Sequence, residues 1–156
     1  MHKTLFFTIL LFSTVIFMSS CERNDYEEWK MLNDAWWAEN RDSLENAGYQ
    51  TTESGLMYKI ENKGAEEQRF PGGYSQINVS YTGKLIDGKT FQSAEKVGLS
   101  MSSVVAGWTE GLKKIQTGGI IHLYIPYFLG YGKEGSGAIP PYSTLYFKIQ
   151  LHQSYY

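Results

Sequence analysis

The chain has 156 residues, 14 Lys and Arg against 16 Asp and Glu, and a single Cys. That balance leaves no basic stripe and argues against nucleic-acid binding. One Cys rules out an internal disulfide, and the length suits one domain plus a short appendage, enough to bury a core without staples. Twelve Tyr, eight Phe and four Trp point to a β-rich core, an aromatic-lined cavity, or both.

The elements follow in chain order. Lys3 precedes an apolar run from Leu5 to Met18 that has the length of a signal-peptide core rather than of a membrane span. Ser19-Ser20-Cys21 resembles a bacterial lipobox, although Met18 stands where Leu is more usual. This pattern predicts a signal peptide over residues 1–20 and a lipid on Cys21, with an ordinary secretory cut as the alternative. Acyl chains would hold the protein to a membrane firmly, because each buried CH₂ contributes about 0.8 kcal/mol.

A helix is expected from Asp25 to Ala47. Tyr26, Trp29, Leu32, Trp36 and Leu44 recur at roughly helical spacing, and Gly48 is a C-terminal stop. Trp29, Trp36 and Trp37 are too much aromatic surface to leave wet. Packing on the chain's own domain, pairing with a second copy in a homodimer, and gripping a client all answer that need. Residues 21–50 are accordingly expected to form a lipid-anchored helical stalk, and residues 51–156 the folded domain.

Within that domain, residues 55–60 predict a strand. Ile77, Val79 and Tyr81 alternate with polar residues, which predicts a half-buried strand with Tyr81 inside. Asp87-Gly88 is a hairpin signal, with Phe91 on the return strand. Trp108, Leu112 and Ile115 share a helical face that Gly118-Gly119 is expected to end. Ile121, Leu123 and Ile125 alternate again, as do Leu145, Phe147, Ile149 and Leu151. Several amphipathic strands with one short helix imply an antiparallel sheet curled over that helix, an α+β fold. Residues 130–141 have no period and predict a long loop. Tyr131 and Ile139 in it need something to cover.

The chemistry is bounded first by what is missing. His122 and His152 fall on outward-facing strand positions and read as surface residues. No Cys/His cluster has metal-ligand spacing, no nucleophile elbow or phosphate loop is present, and no cofactor is expected.

Four phrases nevertheless recur in a fixed order: Y-x-G-x-L-x-D-G-x-x-F from Tyr81, V-x-G-W-x-E-G-L from Val105, I-P-x-x-L-x-Y-G from Ile125, and I-P-P-x-S-x-L-x-F from Ile139. Together they resemble the FKBP family of peptidyl-prolyl isomerases, over about half of the chain. The resemblance implies a half-barrel sheet over a helix, with a pocket on its concave face. It implies prolyl cis-trans isomerase activity on proline-containing polypeptide clients, assisting the folding of exported or envelope proteins, and a site for macrolide inhibitors. A low-activity binding or chaperone module on the same fold is the alternative. With the lipobox, it implies a bacterial cell-envelope lipoprotein outside the cytoplasm.

The family roles carry over residue by residue. Trp108 is the implied floor under the proline ring, and Tyr81, Phe91 and Phe147 are its walls. Val104 and Val105 are rim residues, the Val105 N–H meeting a substrate carbonyl. Tyr131 donates its hydroxyl from the loop, and Ile139 closes the lid. Two departures stand out. Gln92 occupies the place of the family's usual Asp. The stretch 94–103 is shorter than in typical members, with Leu99 in place of one aromatic, so a more open rim is expected.

Overall fold

The computed structural model describes residues 25–155, so the leader and Cys21 lie outside the described residues. Helix α1 spans Asp25–Asn46. Six strands follow: β1 Gln50–Thr51, β2 Met57–Asn62, β3 Gln76–Leu85, β4 Thr90–Ser100, β5 Ile120–Ile125 and β6 Leu145–Tyr155, with helix α2 Ala106–Leu112 between β4 and β5. The strands form one sheet in the order β1-β2-β5-β6-β3-β4, every neighbouring pair antiparallel. This is the expected α+β architecture.

Period-two alternation sets which face is dry. Ile77, Val79, Tyr81, Ile121, Leu123, Ile125, Leu145, Phe147, Ile149 and Leu151 are all buried on one face. Helix α2 covers that face. Its approach is close because Gly107 and Gly111 lie one turn apart. A Cβ at either would come within 2.6 Å of Ile125 or Leu123. Trp108, Leu112 and Ile115 complete the same core. Register shifts in β2, β3 and β4 interrupt the ladders, and such bulges bend a strand and increase its twist.

Helix α2 ends at Leu112, earlier than Gly118-Gly119 implied. After it the chain makes tight turns (Lys114 N–H to Gly111 O, 3.0 Å; Ile115 N–H to Leu112 O, 3.3 Å). The Gln116 N–H is then taken by Lys63 O at 2.8 Å. Ile115 is thus buried by a turn, not by helix. Gly118, in the left-handed region at φ 87°, instead turns the chain into β5.

Helix α1 packs on its own domain, against the sheet face opposite α2. Trp36 stacks on Tyr124 at 5.0 Å, and Tyr124 meets Tyr146 at 5.0 Å and Tyr49 at 5.4 Å. Its covered stripe differs from the apolar one expected. Leu32 is 52% exposed whereas its neighbour Asn33 is 2% exposed. The covered line runs through half-buried Trp29, Trp36, Trp37, Asn40 and Leu44, with Asn33 alone fully buried. A polar residue holds the most buried place on it because the Asn33 side-chain oxygen accepts the Thr144 N–H at 2.7 Å.

Candidate functional site

At the open end of the α2 face lies a cavity of about 180 Å³, lined by Tyr81, Gln92, Leu99, Ser103, Val104, Val105, Trp108, Tyr131 and Phe147. Five separate segments meet there. Strand β3 supplies Tyr81, β4 supplies Gln92 and Leu99, α2 with the residues just before it supplies Ser103, Val104, Val105 and Trp108, the connection between β5 and β6 supplies Tyr131, and β6 supplies Phe147. Val105 caps α2 with an extended backbone (φ −62°, ψ 153°) and no side-chain cap.

The aromatic walls meet edge to face. Tyr81 lies 4.9 Å from Trp108 at 85°, Trp108 lies 5.1 Å from Phe147 at 89°, and Phe91 lies 5.5 Å from Phe147 at 88°. This geometry suits the ring quadrupoles and fixes each ring against its neighbours. Gly83 makes the corner possible. A Cβ there would lie 2.6 Å from both Phe147 and Phe91, so only a glycine lets the two rings meet across β3. In β4, Gln92 pairs with Gly83 and Thr90 with Lys84, which leaves Phe91 as the extra residue of a bulge.

The lining carries no charged side chain. Burial, and to a lesser degree the nearby Tyr131, raises the Tyr81 hydroxyl above the usual tyrosine range and keeps it a neutral donor. The Trp108 Nε1 is buried and has no hydrogen-bond partner among the described residues. The site is therefore neutral and largely aromatic, with a few polar groups at its rim. Among the described residues, no group of His, Cys, Asp and Glu is placed to hold a metal ion.

Most of the expected residues converge here: Tyr81, Gln92, Leu99, Val104, Val105, Trp108, Tyr131 and Phe147 line the cavity. Phe91 backs Phe147 rather than lining it. Ile139 does not line it either. It is buried in the core and pinned by two backbone hydrogen bonds with Ser136, both at 2.9 Å. A second, more open depression, formed by residues 134–141 and Tyr26, is lined by Ile139 instead. Ser103 was not expected. The Ser100–Ser103 turn before α2, closed by Ser103 Oγ donating to Ser100 O at 2.9 Å, is the signal that placed it at the rim.

The stretch 94–103, expected to leave a more open rim, is mostly strand. Strand β4 runs through it to Ser100, paired with β3. The irregularity sits at Lys96, whose φ is 50° and whose N–H donates to Ser80 Oγ at 3.0 Å. Ser80 Oγ also donates to Glu95 at 2.9 Å and contacts His152 at 2.8 Å. His122 also lies on the sheet face away from the cavity, 2.8 Å from the Tyr146 hydroxyl and 2.6 Å from Glu61. Neither histidine lines the cavity.

Comparison with known proteins agrees with this arrangement. The family model for FKBP-type peptidyl-prolyl cis-trans isomerases matches residues 67–152. The chain belongs to the FKBP family. It is 40% identical over 124 residues to the FKBP-type peptidyl-prolyl cis-trans isomerase FkpA of Escherichia coli strain K12, covering 76% of this chain and 45% of that protein. It is 38% identical over 130 residues to the outer membrane protein MIP of Legionella longbeachae, covering 80% of this chain and 54% of that one. The crystal structure of FkpA from Escherichia coli superposes with a TM-score of 0.78 at 37% identity, over 84% of this chain and 63% of that chain. The chain thus spans about half the length of the curated relatives it matches. The FKBP half-barrel over a short helix is the fold seen here.

Proposed function

We propose that this FKBP domain is a peptidyl-prolyl cis-trans isomerase whose cavity takes the proline ring of a polypeptide substrate. The observation that carries this reading is the neutral aromatic cavity floored by Trp108 and walled by Tyr81 and Phe147. Rotation about an X-Pro bond is slow because it breaks amide resonance. The twisted amide loses much of its ground-state polarity, so a dry apolar cavity favours it relative to water. With the ring held on Trp108, the Val105 N–H and the Tyr131 hydroxyl donate to substrate carbonyls. No bond to the protein forms and no proton needs to move.

The lipobox-like Ser19-Ser20-Cys21 supports an envelope lipoprotein acting on exported proteins, with residues 1–20 as its signal peptide. The relation to a protein named as an outer membrane protein points the same way. Among the described residues, no helix is long and apolar enough to cross a membrane. In this reading a lipid on Cys21 provides the attachment. Exposed Tyr26, Met31 and Leu32 on α1 are the surface through which a homodimer would form.

One observation favours a low-turnover binding module on the same site. Gln92, where relatives usually carry Asp, is exposed at the rim. It offers the cavity a neutral amide rather than a carboxylate, a change that would also alter macrolide affinity. Both readings are tested by the cis-to-trans rate of a short X-Pro peptide with the wild type, Tyr131→Phe and Gln92→Asp. An isomerase accelerates the peptide. Tyr131→Phe then loses roughly fivefold in kcat/KM, the worth of one hydrogen bond of ~1 kcal/mol. Gln92→Asp gains up to about fivefold, since hydrogen bonds to charged groups are stronger by ~1 kcal/mol. A folded wild type no faster than buffer would exclude the enzyme and leave the binding module.

A further inference from the structure

We propose that α1 is a brace that sets the position of the cavity loop, with Trp29, Asn33 and Trp37 as positioning residues. The loop from Gly130 to Thr144 carries Tyr131 at one end and enters β6, which carries Phe147, at the other. Its last two residues, Ser143 and Thr144, are 3% and 1% exposed. Helix α1 holds them through polar contacts that span more than a hundred residues of sequence. The Trp29 indole N–H donates to Ser143 Oγ at 2.9 Å, and the Trp37 indole N–H donates to Thr144 Oγ1 at 2.8 Å. Asn33 Oδ1 accepts the Thr144 backbone N–H at 2.7 Å. Asn33 is itself fixed by donating Nδ2 to Trp29 O at 2.8 Å.

The contacts continue into the loop. Ser143 Oγ, while accepting from Trp29, donates to Pro140 O at 2.7 Å. Tyr142, the residue before Ser143, sits in the left-handed region at φ 61°. Its N–H donates to Gly132 O at 3.0 Å, next to Tyr131. Its ring packs on Tyr127 at 5.3 Å, with Lys30 Nζ of α1 5.8 Å from the ring centre. A non-glycine residue keeps such a backbone only where its surroundings over-determine it. Here α1 supplies part of those surroundings. A helix that merely covered the outer sheet face would need Trp36 on Tyr124 and nothing more. The three additional hydrogen bonds fall on the loop's junction, where they fix the end opposite Tyr131.

The activity arm of the test rests on the isomerase reading; the exchange arm does not. Amide hydrogen exchange and peptide isomerisation are measured on the full chain for the wild type, Trp29→Phe, Asn33→Leu, Thr144→Val and Thr144→Ser. The brace predicts that Asn33→Leu and Trp29→Phe speed exchange of the 130–144 amides by about tenfold or more, with protection of β3 and β5 unchanged. It also predicts that kcat/KM falls by about tenfold, as small misplacements of a binding group do. Thr144→Val, which removes the acceptor of Trp37, moves in the same direction, and Thr144→Ser restores it. Unchanged loop exchange in Asn33→Leu and Trp29→Phe would overturn the proposal, and so would exchange that rises equally through the whole sheet. A wild type without isomerase activity would instead remove the isomerase reading, and the exchange data would still decide the brace.

Discussion

The sheet carries aromatic residues on both faces, and the two faces treat them differently. On the outer face, Trp36, Tyr49, Tyr124 and Tyr146 form a layer whose edges reach polar partners. Tyr146 meets His122, which meets Glu61, which in turn meets Lys148 at 2.8 Å. Helix α1 closes part of that layer. On the inner face, Tyr81, Trp108 and Phe147 touch one another edge to face and open onto an uncharged cavity. The same residue types thus serve as mortar on one side and as a receptor on the other. What separates them is whether a covering element and hydrogen-bond partners complete the surface, not the rings themselves.

Removing one tryptophan from each face breaks the comparison most sharply. Trp108→Ala is expected to cost about 3–5 kcal/mol, the usual range for a buried Trp lost from a core, and to abolish the rate on an X-Pro peptide. Trp36→Ala removes a half-buried ring from the outer layer. It is expected to cost less, about 1–3 kcal/mol on a partial-burial basis, and to leave the rate at low temperature close to wild type. Urea unfolding beside peptide kinetics checks both. Equal losses of rate in the two variants would mean that the faces are not functionally distinct.

Gly83→Ala tests the inner face without deleting a ring. The new Cβ must displace Phe147 or Phe91 from a 2.6 Å approach. Overpacking of this kind costs about 1–3 kcal/mol. The distortion falls on the cavity wall, so the rate should fall by more than the loss of stability would suggest. A variant with wild-type kinetics would show that Phe147 can shift without consequence for the site.

The inner face was the more legible of the two in the sequence. Alternation alone put Ile77, Val79, Tyr81, Phe147 and their neighbours on one side, and the recurring phrases gathered Trp108 and Tyr131 to them. Three things escaped. The family resemblance implied Ile139 as a lid over the cavity, yet it does not line the cavity and is buried in the core, held by its hydrogen bonds with Ser136. The register of β4 depends on bulges at Phe91 and Lys96, and period-two reasoning cannot count an inserted residue. The docking stripe of α1 was misread for a related reason. A hydrophobic pattern selects Leu32, whereas the unpaired Thr144 N–H selects Asn33, and that demand comes from a residue 111 positions away. Long-range polar partners leave no periodic trace.

The smallest expected effect belongs to the outer face and to pH. The hydrogen bond from Lys148, then that from His122, holds the Glu61 carboxyl below the usual carboxylate range. A carboxylate whose pKa is lowered by folding stabilises the fold above its unfolded value, and that contribution fades as pH falls through its folded value. Glu61→Gln should therefore lower Tm slightly at about pH 7, and the difference should shrink as pH falls through the lowered folded-state value and the wild-type carboxyl is protonated too. The pair is exposed, so the shift should also shrink in high salt. The isomerisation rate should not follow it, because Glu61 and His122 stand on the face away from Trp108. A pH-dependent change in rate that disappears in Glu61→Gln would show the two faces to be coupled through β5 and β6, and the division between mortar and receptor would have to be redrawn.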